Sequence, residues 1–527
     1  MINIFPRLRG RNTYKVLLTI FFVSISFLYL YNITLPINEW VQDKQAVVAM
    51  IARNFYEGDM NIMYPELDSN GSRSNFAANE FPLHPWLMAL GYKVFGVHEV
   101  FGRILSILFF IGSAFFFRMF LREYKLGTWA SNFFFFFYTI SFLSIGIGRS
   151  LQPESIWMFL IAGTFYFFEK FFNHNKKKYF IYFSLFCSLS IAIKPFVIFL
   201  YLFLLFRLVI SKDRKKYFSY QNIFIFLVSF SIPIIWYFNV YAISETQDVL
   251  FTPESSINYI LPFSYWPMFL FKIIRWYGIF LFSPFFAILL CSLGVMFFLR
   301  IKKGLIQVDK SHQHIIILFL VTAGYYLFFS NRLYGHTYYH ILGMVSVLVI
   351  GALFVDYIIR TGISRKVLIA FTILIFLHGL FVFRLSMKSS LYRLKGEWTR
   401  IVPAAEVVRE FTQSGDLVVA SSEKTANLLY YSDRVGWFFS VNDKAIAEEN
   451  AKNRDRYLTP VKPMYTNVPE KAHERLEWHI AEGAAYFVAT QSLNELSLVN
   501  PEFYEYLTKK YALVTSTYQY SLFDLKD

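Results

Sequence analysis

The sequence predicts a polytopic α-helical membrane protein with about eleven transmembrane helices and a soluble α/β domain at its C-terminal end. Three observations carry that prediction. Of the 527 residues, 56% are hydrophobic and only 17% charged, with 63 Phe and a mean hydropathy of +0.42; in water nothing would cover so much apolar surface. Apolar runs of roughly 20 residues, the length that crosses a ~30 Å hydrocarbon core, recur through the N-terminal part. The charge is also divided: residues 395–527 hold 15 Lys/Arg against 19 Asp/Glu, while the first 394 hold 36 against 17. The basic excess therefore belongs to the apolar part, where it reads as topology signal and phosphate affinity and not as nucleic-acid binding. Disordered, collagen-like and coiled-coil classes are excluded by the same composition. The two cysteines, Cys187 and Cys291, lie inside apolar runs and form no disulfide framework.

In chain order, the candidate spans are 16–35, 101–121, 127–146, 155–172, 179–193, 195–210, 222–241, 268–299, 315–330, 341–359 and 367–383. The division at Lys194-Pro195 and the length of the 268–299 run leave two of these open to a different parsing. Basic clusters at Arg7/Arg9/Arg11/Lys15, Arg122/Lys125, Lys176–Lys178, Lys212/Arg214/Lys215/Lys216, Arg300/Lys302/Lys303 and Arg360/Arg365/Lys366 fall at alternate loops. The positive-inside rule assigns them to the cytoplasm, and with them the N-terminus. The loops at 36–100, 242–267 and 331–340 and the tail then lie outside. The first apolar run is long and lacks a small-residue cleavage pattern, so it is expected to stay as an anchor. This gives a transmembrane domain over 1–384 and a soluble α/β domain over 385–527.

The outer loop at 36–100 is too long for a connector. Within it Val47, Ile51 and Phe55 recur at helical spacing, with Arg53, Asn54 and Glu57 on other faces, which predicts an amphipathic helix on the outer membrane surface. In the tail, strands are expected at Asp416–Ser421, Val435–Ser440, Ala484–Thr490 and Tyr511–Phe523, and helices at 400–413, 424–431, 469–482 and 492–508. The tail has no Gly-rich phosphate loop, metal-spaced Cys/His set or nucleophile elbow. A lid or acceptor platform over the membrane site is the role left to it. Trp437, Phe438 and Phe439 read either as a buried strand or as a glycan-binding surface.

Chemistry at the outer face of a bilayer, directed at a lipid phosphate, needs a carboxylate base and cations. Asp43 follows the first span in Glu39-Trp40-Val41-Gln42-Asp43-Lys44; a solvated loop acid is its plain alternative. Glu80 and His84 sit in Asn79-Glu80-Phe81-Pro82-Leu83-His84-Pro85-Trp86, where two prolines stiffen the approach to a helix. Arg149 and Glu154 flank Pro153 between two apolar helices, where charge is expensive; a mutual ion pair is the simpler reading. Lys194 interrupts an apolar run as either a snorkelling lysine or a phosphate ligand. The segment Asn331 to His340 gathers Arg332, His336, Tyr338, Tyr339 and His340, more polar chemistry than an aromatic belt requires.

Taken in order, these residues resemble the bacterial branch of the dolichyl-phosphate-mannose-protein mannosyltransferase family, which includes the lipid A aminoarabinose transferases and has the C-type glycosyltransferase architecture. Asp43 occupies the first position of that family's acid pair. Pro82 through Leu90 match its Pro-rich approach to Trp-Leu-x-Ala-Leu, and Phe95-Gly96 with Arg103 match the opening of its second helix. Arg149 with Pro153-Glu154, Lys194-Pro195 and His336 through His340 follow in the family's order. The resemblance covers roughly residues 15–360. It departs at Lys44, which replaces the second acid of the pair, at Phe81, where a Lys often stands, and at Glu154, where Asp is usual.

The resemblance implies transfer of a sugar from a polyprenyl-phosphate-linked donor to a lipid, glycan or protein acceptor at a periplasmic face, with inversion. It assigns catalytic roles to Asp43, Glu80 and Glu154, donor-phosphate binding to Arg149, Lys194 and Arg332, and substrate binding to His84, His336, Tyr338, Tyr339 and His340. It implies a bacterial inner membrane, no nucleic acid and no certain cofactor; a divalent metal stays open, with Glu80, Glu154 and the histidines as ligands. The competing expectations are a transporter or flippase of lipid-linked glycans, which favours internal repeats that the sequence lacks, and a non-catalytic envelope assembly protein.

Overall fold

A computed structural model describes residues 23–37, 42–73, 75–77, 80–212, 214–244, 260–309, 314–394, 396, 398–422, 425–444 and 471–526. Every apolar run of the sequence is helical there, the first being described only from residue 23. The bundle is built from α1 (23–30), α2 (Gln42–Glu57), α3 (Leu83–Phe95), α4 (Glu99–Glu123), α5 (Thr128–Thr139), α6 (Phe142–Arg149), α7 (Glu154–His174), α8 (Lys177–Ile193), α9 (Ile198–Ile210), α10 (Tyr220–Ser244), α11 (Trp266–Arg275), α12 (Pro284–Lys302), α13 (Ile315–Phe328), α14 (Ser330–Gly335), α15 (Ile341–Arg360) and α16 (Arg365–Lys388).

Six of the described helices are long and apolar enough to cross a membrane, namely α4, α7, α10, α12, α15 with its preceding turn, and α16; the α5–α6 pair, bent by 66°, makes a seventh if it is one span. The shorter apolar helices have local causes. Pro195 forces Lys194 into extended backbone (φ −148°, ψ 106°), which ends α8 and starts a 3-10 turn before α9. The 268–299 run breaks where a π-helical turn, Trp276–Leu281, meets Ser283-Pro284, and the Ser283 hydroxyl caps α12. Large apolar side chains such as Leu227, Phe238, Phe298 and Phe376 remain exposed along the outer helices, as lipid-facing surface does, whereas α15 is enclosed.

Two buried arginines fix the chain where it leaves α1. Arg103 donates to the carbonyls of Ile33 (2.7 Å), Leu35 (2.6 Å) and Pro36 (3.2 Å). Arg149 donates to those of Tyr29 (3.0 Å) and Tyr31 (2.8 Å) and, on its other nitrogen, Leu391 (3.3 Å). A guanidinium at a helix C-terminus satisfies orphan carbonyls and complements the negative end of the dipole.

The tail contains α17 (Trp398–Phe411), β1 (Leu417–Ser421), α18 (Thr425–Ser432), β2 (Gly436–Phe439), α19 (Ala472–Ala481), β3 (Ala484–Ala489), α20 (Leu493–Val499), α21 (Pro501–Lys510), β4 (Ala512–Ser516) and β5 (Ser521–Asp524). Its sheet has the order β2-β1-β3-β5-β4, parallel across β2, β1 and β3 and antiparallel beyond. The single strand expected at Tyr511–Phe523 is a hairpin. The helix expected at 492–508 is two, because Asn500 caps a second helix that begins at Pro501. Trp437 and Phe439 are buried in the strand core, the Trp437 ring 5.0 Å from His479, which favours the buried-strand reading of this segment.

The tail rests directly on the segment between α1 and α4. The amphipathic helix expected on the membrane surface is α2, but it is covered: it packs between α3 and α18, with Ala46, Ala49, Met50, Ala52 and Phe55 buried. The Arg53 guanidinium meets Asp68 and Asp433, each at 2.6 Å, and donates to the Tyr430 carbonyl. Beside it the loop extends the sheet, since Gly436 N–H donates to Asp68 O and Gly71 N–H to Gly436 O, each at 3.0 Å. Gly71 makes that approach feasible, and Gly436 makes feasible the approach of β2 to β1. A Cβ at Gly71, whose φ is +58°, would lie 1.9 Å from the Trp437 ring, and one at Gly436 would lie 1.8 Å from Val418 O.

Candidate active site

Four charged side chains from four elements converge at the N-terminal end of α2. Lys44 comes from the first turn of α2, Glu80 from the loop before α3, Glu154 from the first turn of α7 and Lys194 from the extended residue that ends α8. The Lys44 ammonium lies 3.0 Å from the Glu80 carboxylate and 2.9 Å from that of Glu154. The Lys194 ammonium lies 3.0 Å from Glu80 and 2.5 Å from Glu154. The inner pair is sealed, with Glu154 0% and Lys194 2% exposed, while Lys44 and Glu80 keep 15% and 16%. Each lysine thus touches both carboxylates, and the cluster is charge-balanced, as burial of four ions requires.

Aromatic faces close the cluster. Lys44 sits 5.0 Å from the Tyr338 ring centre; Lys194 sits 5.2 Å from Tyr338, 4.7 Å from Tyr339 and 5.7 Å from Trp157. The rings of Tyr338 and Tyr339 are 4.4 Å apart, and His336 lies 5.4 Å from the first and 5.7 Å from the second. Burial pulls the Lys44 ammonium towards neutrality, but the carboxylates of Glu154 and then Glu80 overcome it and hold its pKa well above the usual lysine range. One oxygen of Glu154, Oε2, is buried without a hydrogen-bond partner.

The structure therefore brings together Glu80, Glu154, Lys194, His336, Tyr338 and Tyr339. It adds Lys44, which the sequence presents only as a departure from an acid pair; its signal was a cation next to Asp43 at the mouth of the apolar helices. Asp43 itself lies in the first turn of α2, next to Lys44 in sequence, but its side chain lies outside the described residues. Arg332 is half-buried on α14, whose C-cap is His336.

Three expected residues face elsewhere. Arg149 was expected at the donor phosphate; its guanidinium is instead committed to the carbonyls at the end of α1 and to Leu391, and lies over the Tyr392 ring at 4.6 Å. His340 accepts from the Tyr326 hydroxyl at Nδ1 (2.7 Å) and directs Nε2 at the Leu333 carbonyl (3.2 Å), an internal packing role beside Trp276. His84 is fully buried, its Nε2 3.0 Å from Ser106 Oγ and its Nδ1 without a partner. Burial lowers its pKa to about 4 against a smaller upward pull from Glu154, so the ring is neutral. Among the described residues no three His, Cys, Asp or Glu side chains gather as metal ligands would.

Residues 79–236 match the family described as dolichyl-phosphate-mannose-protein mannosyltransferase. The architecture is that of C-type membrane glycosyltransferases. ArnT from Cupriavidus metallidurans in the apo state superposes with a TM-score of 0.60 at 11% identity, covering 97% of this chain and 98% of that one. The same protein bound to undecaprenyl phosphate gives 0.52 at 14% identity, covering 98% of each. The archaeal oligosaccharyltransferase AglB from Archaeoglobus fulgidus, in complex with an inhibitory peptide and a dolichol-phosphate, gives 0.53 at 13% identity, covering 97% of this chain and 74% of that one. No curated protein matches the sequence.

Proposed function

We propose that this protein is a membrane glycosyltransferase that moves a sugar from a polyprenyl-phosphate donor to a lipid, glycan or protein acceptor on the periplasmic side of a bacterial inner membrane. The observation that carries this reading is the pair of lysines, Lys194 sealed and Lys44 partly exposed, held against two glutamates at the mouth of a C-type glycosyltransferase bundle. Cations so placed suit a lipid-linked phosphate, and the match of residues 79–236 to a family that uses such donors points the same way.

The chemistry is a single displacement. An acceptor oxygen bonds to the anomeric carbon as the bond from that carbon to the phosphate oxygen breaks; the polyprenyl phosphate departs with the electron pair, and configuration inverts. Asp43, in the first turn of α2, takes the acceptor's proton. Lys194 and Lys44 neutralise the charge growing on the leaving phosphate, with Arg332 as a third cation. Glu80 and Glu154 keep the lysines aligned before the donor arrives, and Tyr338, Tyr339 and His336 supply the wall for donor and sugar. Arg149 and His340 take no part, being engaged with main-chain and packing partners. The tail covers α2 and so stands where an acceptor must pass.

The test is transfer of radiolabelled sugar from a panel of polyprenyl-phosphate donors in liposomes, using a crude envelope extract as acceptor. Wild-type transfer that collapses by about 10²-fold or more in Asp43→Asn, the scale of a lost general base, with the fold intact, supports the reading. Equal transfer by both removes Asp43 as base. Donor binding without turnover for any sugar points instead to a transporter.

A further inference from the structure

At the end of the bundle away from the acid–lysine cluster, a cavity of about 340 Å³ is bounded by Arg122, Lys125, Trp129, Asp356 and Arg360 and by the first turn of α5. Its volume falls in the roughly 300–1,000 Å³ range of small-ligand sites. Its distance from the candidate active site follows from α15, which starts beside Tyr338 and Tyr339 and ends at Arg360. Twenty residues of helix at 1.5 Å each are about 30 Å, the thickness of a hydrocarbon core. The cavity and the cluster therefore belong to opposite faces of the membrane.

The charges around the cavity are unequal. Its one acid, Asp356, is buried and already engaged: it accepts the Gly127 N–H at 2.7 Å and pairs with Arg360 at 2.6 Å. Arg360 also donates to the Lys125 carbonyl and lies 3.7 Å from Asp309. With Asp356 and Arg360 offsetting each other, Arg122 and Lys125 give the wall its net positive charge. Both are exposed, and among the described residues the Arg122 guanidinium donates to the Leu126 carbonyl at 3.3 Å. The N-terminus of α5 is capped by that same Asp356 carboxylate through Gly127 N–H, so the net positive charge of the wall rests on Arg122 and Lys125. Trp129, 55% exposed at the rim, is the residue type that settles at headgroup depth.

We infer that this cavity binds the phosphate of an anionic phospholipid headgroup in the leaflet opposite the sugar-transfer site. The ligand chemistry is a phosphate ester; the interfacial Trp129 and the exposed apolar flanks of the bundle favour a lipid over a free anion. Each lysine or arginine near an anionic surface contributes roughly fivefold in affinity, so losing two costs about 30-fold.

The experiment titrates the full-length protein in neutral detergent with three probes, short-chain phosphatidylglycerol, short-chain phosphatidylcholine and glycerol 3-phosphate, read by native mass spectrometry. Arg122→Gln/Lys125→Asn is compared with wild type; asparagine is chosen because Lys125 has φ +66°, which Asn tolerates. The expected result is one saturable phosphatidylglycerol site in wild type, little phosphatidylcholine binding, and a loss of about 30-fold in the variant at an unchanged melting temperature. Equal binding of both phospholipids, or equal binding by variant and wild type, overturns the proposal. Glycerol 3-phosphate bound as tightly as phosphatidylglycerol overturns the lipid source. If the double variant does not fold, Arg122→Gln alone is read against the same probes, and an unchanged affinity there also overturns it.

Discussion

Lys44 and Glu154, 110 residues apart in sequence, meet at 2.9 Å and with Glu80 and Lys194 complete a square of alternating charge whose Glu154 and Lys194 corners are sealed. Each ion has both opposite charges as neighbours, so removing one leaves its partners undercompensated in a site of low dielectric.

That arrangement makes the cluster non-additive. Glu154→Ala and Lys194→Ala should each destabilise by about 3–5 kcal/mol, the cost of orphaning a buried partner, whereas Glu154→Leu/Lys194→Met should lose clearly less than the sum of the corresponding single changes. Thermal unfolding of the four members of the cycle in detergent checks this; strict additivity would mean that the two groups do not interact.

Arg149 offers a contrast between two roles. As a cap on α1 it should matter for stability and not for donor affinity. Arg149→Lys keeps the charge but loses the planar fork that spans separate carbonyls. The expected outcome is a lower melting temperature with an unchanged KM for the donor. A selective rise in KM at an unchanged melting temperature would return Arg149 to the phosphate.

His84 sets an acid limit. Its folded pKa, about 4 because of burial, lies below the ~6.5 of an unfolded histidine. The unfolded chain therefore binds more protons, and this contribution is fully present above pH 6.5 and drains away as pH falls through 4. A shift of that size corresponds to about 3 kcal/mol. His84→Gln should flatten the stability curve between pH 6.5 and 4, measured by unfolding at each pH. His479 in the tail, also lowered to about 4 by burial with help from Arg475, gives a separate acid-sensitive group, for which His479→Gln is the matching variant.

Gly71→Ala tests the docking of the tail. The new methyl would meet the Trp437 ring in a left-handed backbone conformation, so the 66–77 loop should detach. Backbone strain alone is about 1–3 kcal/mol. Hydrogen exchange should rise at Gly436 and along residues 68–71, with little change in α4 or α7.

Much of this architecture was legible because hydrophobic runs and proline breaks are local signals. The positions of α4, α7, α10 and α15 follow from apolar length, and the split at Lys194-Pro195 follows from proline. Partnership was less visible. Nothing near Lys44 in sequence indicates that it faces Glu154 instead of solvent, and Arg149 looks the same as a phosphate ligand or as a cap until the carbonyls of Tyr29 and Tyr31 arrive beside it. The hairpin within 511–523 was hidden by continuous β propensity, with no Gly or Pro at its turn. The α2 stripe indicated a helix with one apolar face and was read as resting on the membrane surface; its partner is instead α18, nearly four hundred residues later.

The pairing of Asp68 and Gly71 with Gly436 also bears on the order of assembly. At roughly 5–20 residues per second of synthesis, a loop near residue 70 waits on the order of 20–70 seconds before strand β2 is made. When β2 emerges, its open edge finds a main-chain partner already anchored to the membrane. The membrane domain then serves as a template for the tail, and a tail produced by itself would carry an uncovered strand edge prone to pairing with other copies.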